Sequence, residues 1–159
     1  MNKSAIREAI ITQLRAELAR QTSAALLARD EAISEESRAE NKYDTHSQEA
    51  AYLAEGQARQ AAEIEASLAH YAALPLPEFS ANDAISLGAL VELDAGGKSA
   101  WYFVGPRAGG MELRIDNRAV LVVTPQSPLG RQLVGKRVGD LVTPPARVAS
   151  TAARIARVE

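Results

Sequence analysis

The chain has 159 residues, of which 47% are hydrophobic, 24% are charged and only 4% are aromatic. That length fits one domain or two small ones, and the absence of cysteine excludes a disulfide framework, a thiolate metal site and a thiol nucleophile. The formal net charge of -2 divides unevenly: residues 1–78 carry 8 Lys+Arg against 13 Asp+Glu and residues 79–159 carry 10 against 7, which indicates two modules with different partners.

The first seventeen or so residues, MNKSAIREAIITQLRAE, place a charge every few positions and contain no sustained apolar core. They do not read as a signal peptide, and no segment approaches a membrane span, so a cytoplasmic protein without a membrane partner is expected. From Lys3 to about Glu36 there is no Pro or Gly, and strong helix formers dominate. Ile11, Leu14, Leu18, Ala25, Ala28 and Ala32 follow alternating three- and four-residue steps, with Gln21 filling one position. A second arm repeats the spacing with Ala50, Ala54, Gln57, Ala61, Ile64, Leu68 and Tyr71. This is the 3.5-residue stripe of a coiled-coil seam. Two arms of similar length joined by a short polar link pack antiparallel. The seam is graded, with leucine, isoleucine and tyrosine at the base and alanine toward the tip, so the distal part is expected to be thin. Gly56 is expected to allow a close contact or a slight bend.

Between the arms Glu35, Glu36, Glu40, Asp44 and Glu49 crowd a turn near residues 37–44, against only Arg38 and Lys42. Such a cluster repels itself and adds nothing obvious to stability, which leaves a solvated acidic turn or a cargo carried on a stalk. His46 and His70 lie far apart on the second arm, and no GxGxxG or GxxxxGK[ST] run occurs anywhere, so nucleotide-fold signals are absent.

Pro75 and Pro77 mark an extended linker, after which the hydrophobic period changes from helical to alternating. Strands are expected at residues 89–94, 100–104, 111–115 and 120–124, with closing strands at 141–143 and 152–158. Ser127 and Pro128 have the form of an N-cap and first position of a short helix ending before Gly135. The fold class is therefore α+β, an antiparallel helical hairpin followed by a small β domain of about five strands and one short helix. Trp101 is expected in its core.

The run SPLGRQLVGK at residues 127–136, followed by Gly139 and Asp140, resembles the C-terminal signature of the bacterial Gre transcript-cleavage factors. That pattern is a Ser-Pro, an Arg, a Leu, then Gly-Lys, an acidic residue and a closing strand. Total length is similar to that family, as is the order of an acidic-tipped hairpin before an FKBP-like β domain. At the tip, Glu40 and Asn41, with Tyr43 close by and Tyr52 downstream, resemble the family's acidic loop.

The resemblance implies a coiled-coil hairpin over residues 1–76, its tip near 35–49, and an FKBP-like domain over 77–159 that docks on the rim of the RNA polymerase secondary channel. Ser127, Pro128, Arg131 and Lys136 are the implied docking residues. The hairpin would enter the channel, where tip carboxylates help hold the polymerase's second Mg²⁺ and orient the water that cuts backtracked RNA. Hard oxygen ligands suit Mg²⁺, and paired metals stabilise both attacking and leaving oxygens. Glu40 is the principal candidate, with Glu36 or Asp44 as its partner. The free protein is expected to hold no metal, to be no enzyme by itself, and to meet nucleic acid only through the elongation complex. One position departs from the family: the acidic residue expected three places before Glu40 is Ser37, a poor Mg²⁺ ligand. A channel-binding regulator that does not cut therefore stands beside a cleavage factor.

Two other classes compete. A peptidyl-prolyl isomerase needs an aromatic-lined pocket, and Trp101, Tyr102 and Phe103 form the only aromatic cluster; on a strand they cannot all line one pocket. A plain coiled-coil interaction module is the third. Direct DNA binding is not expected, since no basic stripe with interleaved aromatics is present.

Overall fold

The structure, a computed structural model, describes residues 1–36, 45–144 and 152–159. Helix α1 runs over Lys3–Glu36 and α2 over Thr45–Ala72, as the uninterrupted helix formers dictate. Asn2 caps α1, its side-chain oxygen accepting the N–H groups of Ser4 at 2.9 Å and Ala5 at 3.3 Å. The expected turn at residues 37–44 lies outside the described residues. Arg7, in the second turn of α1, donates to the carbonyl of Leu74 just past α2 at 3.4 Å, so the start of one helix lies beside the end of the other.

The chain divides into two compact units, Thr12–Ala69 on the one hand and Met1–Ile11 with His70–Glu159 on the other. Composition changes at the proline linker, whereas packing groups the first and last helical turns with the β module. Ile6, Ile10, Tyr71 and Leu74, all buried, are the apolar reason for that grouping.

Within Thr12–Ala69 the expected seam positions whose burial is described are sheltered, while the side chains of Ala32 and Ala50 lie outside that description. Leu14 is buried, and Leu18, Gln21, Ala25 and Ala28 are half-buried on α1, as are Ala54, Gln57, Ala61, Ile64 and Leu68 on α2. The seam is narrow because alanine removes little apolar surface from water. Larger apolar side chains of the distal part lie off it: Leu26, Leu27, Ile33, Tyr52 and Leu53 are all more than half exposed. The expectation for Gly56 is corrected in part. A Cβ added there meets nothing within 4 Å, so no close contact requires glycine.

The β module is a six-stranded mixed sheet in the order β3-β4-β2-β1-β6-β5. Its strands are β1 Leu90–Ala95, β2 Lys98–Val104, β3 Glu112–Ile115, β4 Arg118–Val123, β5 Leu141–Val142 and β6 Ala153–Val158. Helix α3, Pro128–Leu133, follows β4. Only β2 and β4 pair in parallel; every other neighbour is antiparallel. The β1–β2 hairpin turns at Gly96 and Gly97, where Asp94 accepts the Gly97 N–H at 2.8 Å. The β3–β4 hairpin turns at Asp116 and Asn117, both with positive φ, the left-handed pair that matches strand twist. Strands are expected on both sides of this turn; the tight hairpin that joins them is not, and all six expected segments form strands, against the expected total of about five.

Burial on the sheet is two-sided. On one face Val91, Leu93, Tyr102, Val104, Val123 and Ile155 pack with Leu129 and Leu133 of α3. Register places Leu90, Phe103 and Val122 on the other face in one row, all fully buried. Beside that row the Tyr71 hydroxyl donates to the carbonyl of Arg107 at 2.6 Å. A Cβ on Gly105 would fall on that hydroxyl, so the approach of α2 requires glycine there.

Burial pushes the Tyr71 hydroxyl well above its ordinary value, so it stays a protonated donor. Its folded pKa exceeds the unfolded one, so the associated stability is complete below about pH 10 and is lost as pH rises beyond it. Tyr71→Phe is expected to cost about 1 kcal/mol at neutral pH and to flatten the alkaline limb of a stability-versus-pH curve measured by urea unfolding. Along α1, amide hydrogen exchange is expected to be slow at Ile10, Ile11 and Leu14 and fast from Leu26 to Glu31, because apolar burial declines outward. Equal protection along the helix would contradict a graded seam.

Candidate functional site

The run at residues 127–136 folds into α3 and the turn after it, and most of its residues have structural work. Ser127 is the N-cap: its hydroxyl donates to the carbonyl of Thr124 at 2.8 Å and accepts the Gly130 N–H at 3.0 Å. Pro128 occupies the first turn, where its missing N–H costs nothing. Gly130 has no alternative, since a Cβ there would overlap the carbonyl of Thr124. Leu129 and Leu133 enter the core. Gly135 takes a φ of 83°, and its N–H donates to the carbonyl of Ile85 at 2.8 Å while Lys136 returns a carbonyl to the Ile85 N–H at the same distance.

Gln132 has a role that the sequence did not disclose. Its side-chain nitrogen donates to the carbonyl of Thr143 at 3.1 Å, and its side-chain oxygen accepts the Thr143 N–H at 2.8 Å. The carboxamide thus imitates a strand partner for the residue just after β5, at the outer edge of the sheet. Its partner lies eleven positions on in the chain, beyond any local pattern.

What remains of the run faces outward. Arg131 and Lys136 are exposed, and among the described residues no ion pair engages either. Val134 is 42% exposed and Leu141 of β5 58%. Together with Gln132, Gly135 and Asp140 they line a shallow groove of about 600 Å³. Asp140 is tied locally, accepting the Arg137 N–H at 2.9 Å. Two exposed cations beside two exposed aliphatics make the groove cationic and partly apolar, and they offer no nucleophile or general base. Of the four implied docking residues, Arg131 and Lys136 are exposed in this groove. Pro128 is exposed at the helix start, and Ser127 is half-buried with its hydroxyl engaged internally.

The tip carboxylates stand apart from this surface in the sequence. Glu36 is the last residue of α1. Glu40, Asp44 and Ser37 lie outside the described residues. Among the described residues no group of three His, Asp or Glu is placed to hold a metal ion, and no helix is long and apolar enough to cross a membrane. The aromatic cluster divides as strand geometry requires: Tyr102 joins the core with α3, while Trp101 and Phe103 lie on the opposite face.

No protein-family model and no curated protein matches the chain. Among solved structures it is similar to the GreA factor homolog 1 (Gfh1) protein of Thermus thermophilus, at 21% identity over 95% of each chain and a TM-score of 0.38. A second structure of the transcription factor Gfh1 is similar at 22% identity, over 94% of this chain and 93% of that one, with a TM-score of 0.39. Thermus aquaticus Gfh1 is similar at 22% identity, 95% and 94% coverage and a TM-score of 0.36.

The division of labour within the run predicts distinct mutational outcomes. Ser127→Ala and Gln132→Ala are each expected to lower unfolding stability by about 1–2 kcal/mol, whereas Arg131→Ala and Lys136→Ala stay within about 0.5 kcal/mol. Urea titrations of the four variants check this directly.

Proposed function

We propose that the chain is a Gre-like transcription elongation regulator that binds RNA polymerase through the α3 groove and presents its acidic hairpin tip to the secondary channel. The observation that carries this reading is the fate of the run at residues 127–136. Once capping, core packing, close backbone approach and edge protection are assigned, Arg131 and Lys136 are left exposed beside Val134 and Leu141. These are the residues a docking surface would spare from structural duty. The order of two long helices before a small sheet supports the same reading, because the acidic stretch of the sequence falls between those helices.

Ser37 favours regulation of the polymerase without stimulated cleavage. A hydroxyl contributes much less than a carboxylate to holding Mg²⁺, so a tip built on Glu40 with Glu36 or Asp44 depends on a shifted second ligand. In either form the catalytic centre and its Mg²⁺ belong to the polymerase, and the chain supplies position and charge.

Binding to core RNA polymerase, followed by a pull-down or anisotropy titration, tests the docking surface. Arg131→Glu with Lys136→Glu is expected to weaken affinity roughly tenfold or more, as about 1 kcal/mol per reversed contact implies. Unchanged affinity would dismiss the α3 groove. Glu40→Ala should leave affinity unaltered. On stalled elongation complexes, cleavage gained by Ser37→Asp where the natural chain has none would identify the non-cutting regulator; stimulation by the natural chain that Glu40→Ala abolishes would identify the cleavage factor.

A further inference from the structure

The sheet ends in two edges, and they are finished differently. At the β5 edge the Gln132 carboxamide engages the N–H and carbonyl of Thr143, so that edge is capped from within the chain. At the other edge the outermost strand is β3, and the direction of its backbone groups follows from the hairpin that builds it. Ile115 and Arg118 close a two-residue turn and therefore face each other as a hydrogen-bonded pair. Alternation makes Leu113 and Val120 the next such pair, and the carbonyl of Met111 accepts the Val122 N–H at 2.9 Å in the same phase. Gly110, with a φ of 92°, donates to the carbonyl of the same Val122 at 2.8 Å, a glycine bulge that ends the ladder. Leu113 and Ile115 thus turn their backbone groups inward to β4, and Glu112 and Arg114 turn theirs outward, away from the sheet.

The two residues that turn outward also have exposed side chains of opposite charge, on one face of the strand. Leu113 is buried on the other face. There the neighbouring cation Arg118 lays its guanidinium over the Trp101 ring, 5.7 Å from the centroid. The edge sequence Glu112-Leu113-Arg114 is its own complement when reversed. Laid antiparallel on itself with Leu113 opposite Leu113, it sets each Glu112 opposite Arg114 of the second copy. Both residues of each such pair point their backbone groups outward, so each pair exchanges two N–H to carbonyl bonds. Met111 then stands opposite Ile115 at either flank, and both are half-buried. The two neighbouring registers with matched backbone groups fail on charge. One sets Glu112 against Glu112; the other sets Arg114 against Arg114 and Glu112 against Asp116. Like charges directly opposite each other are destabilising. Glu112 already interacts within its own chain, and a carboxylate with several acceptor sites takes a further arginine beside that interaction.

We propose that the β3 edge is a self-association site, at which a second copy of this chain pairs antiparallel about Leu113 and one sheet runs through both protomers. The contact is a two-fold, isologous one, because the same strand serves on each side. Four backbone bonds and two Glu–Arg pairs on so short a strand make a small interface, with an expected dissociation constant of about 0.1–1 mM. The groove beside α3 lies against β5, at the far edge of the sheet, and takes no part in this contact.

Sedimentation equilibrium of the full chain reads the association. The natural chain is expected to dimerise in that range, and more weakly in high salt, because exposed charge pairs are screened. Glu112→Arg and Arg114→Glu each place like charges in both pairs, and each is expected to weaken self-association roughly tenfold or more. Mixed in equal amounts, the two variants regain opposite charges at both pairs and are expected to associate with each other. The double variant Glu112→Arg with Arg114→Glu restores both pairs in reversed order, and is expected to dimerise within about threefold of the natural chain. Its net charge equals that of the natural chain, which separates the pairing from a general charge effect. Far-ultraviolet circular dichroism checks that every variant remains folded. The proposal is overturned by the absence of a dimer at about 2 mM natural chain, or by single variants that associate as the natural chain does. The latter result would move the contact elsewhere, such as to the exposed Leu26 and Leu27 of α1. Failure of the folded double variant to dimerise would overturn it as well.

Discussion

The structure depends on β2 being buried from both sides. Trp101, Tyr102, Phe103 and Val104 are consecutive and all buried, which no strand at the surface of a two-layer sheet would allow. Alternation sends Tyr102 and Val104 to the layer shared with α3, and Trp101 and Phe103 to the other. A strand filled on both faces must be central, and β2 is accordingly flanked by β1 and β4. The parallel pairing with β4 follows from the same demand. The β3–β4 hairpin places β3 at the edge and delivers β4, with Val120, Val122 and Val123, to the inner position.

Two-sided burial also separates the surfaces available for recognition. The face with α3 is closed by core leucines, so what it offers lies on the outer side of the helix, at Arg131, Val134 and Lys136. The opposite face is filled at the Phe103 row and again at the Trp101 row, where Trp101, Val120 and Leu113 are buried. The helical unit is built on different terms: its stripe turns from leucine and isoleucine to alanine, which permits close approach but yields little burial per residue.

Much of this was legible in the chain. Period and the lack of Pro and Gly in the first arm located the helices, because a 3.5-residue stripe over about six turns has no strand interpretation, and the switch to alternation located the sheet. Ser127 and Pro128 announced α3 through local capping chemistry, and Gly135 announced its end. The hairpin at Asp116 and Asn117 was missed, since neither residue is the glycine that usually marks a left-handed pair. The Gln132 clamp and the Arg118–Trp101 stack were illegible for a different reason. Each joins positions brought together only by sheet order, and strand order is not written in any local spacing.

The pairing of β1 with β6 sets Val91 opposite Val158, so the sheet joins an early strand to one near the end of the sequence. During synthesis the ribosome delivers β1 long before its second neighbour exists. Until β6 emerges, one edge of β1 has no partner, and the residues Met1–Ile11, which pack with this unit, wait on the same event. The helical stretch needs only short-range bonds and forms as it appears. The nascent chain thus acquires its helices first and its complete sheet last, and a truncated product ending before residue 153 would expose the β1 edge to association with other chains.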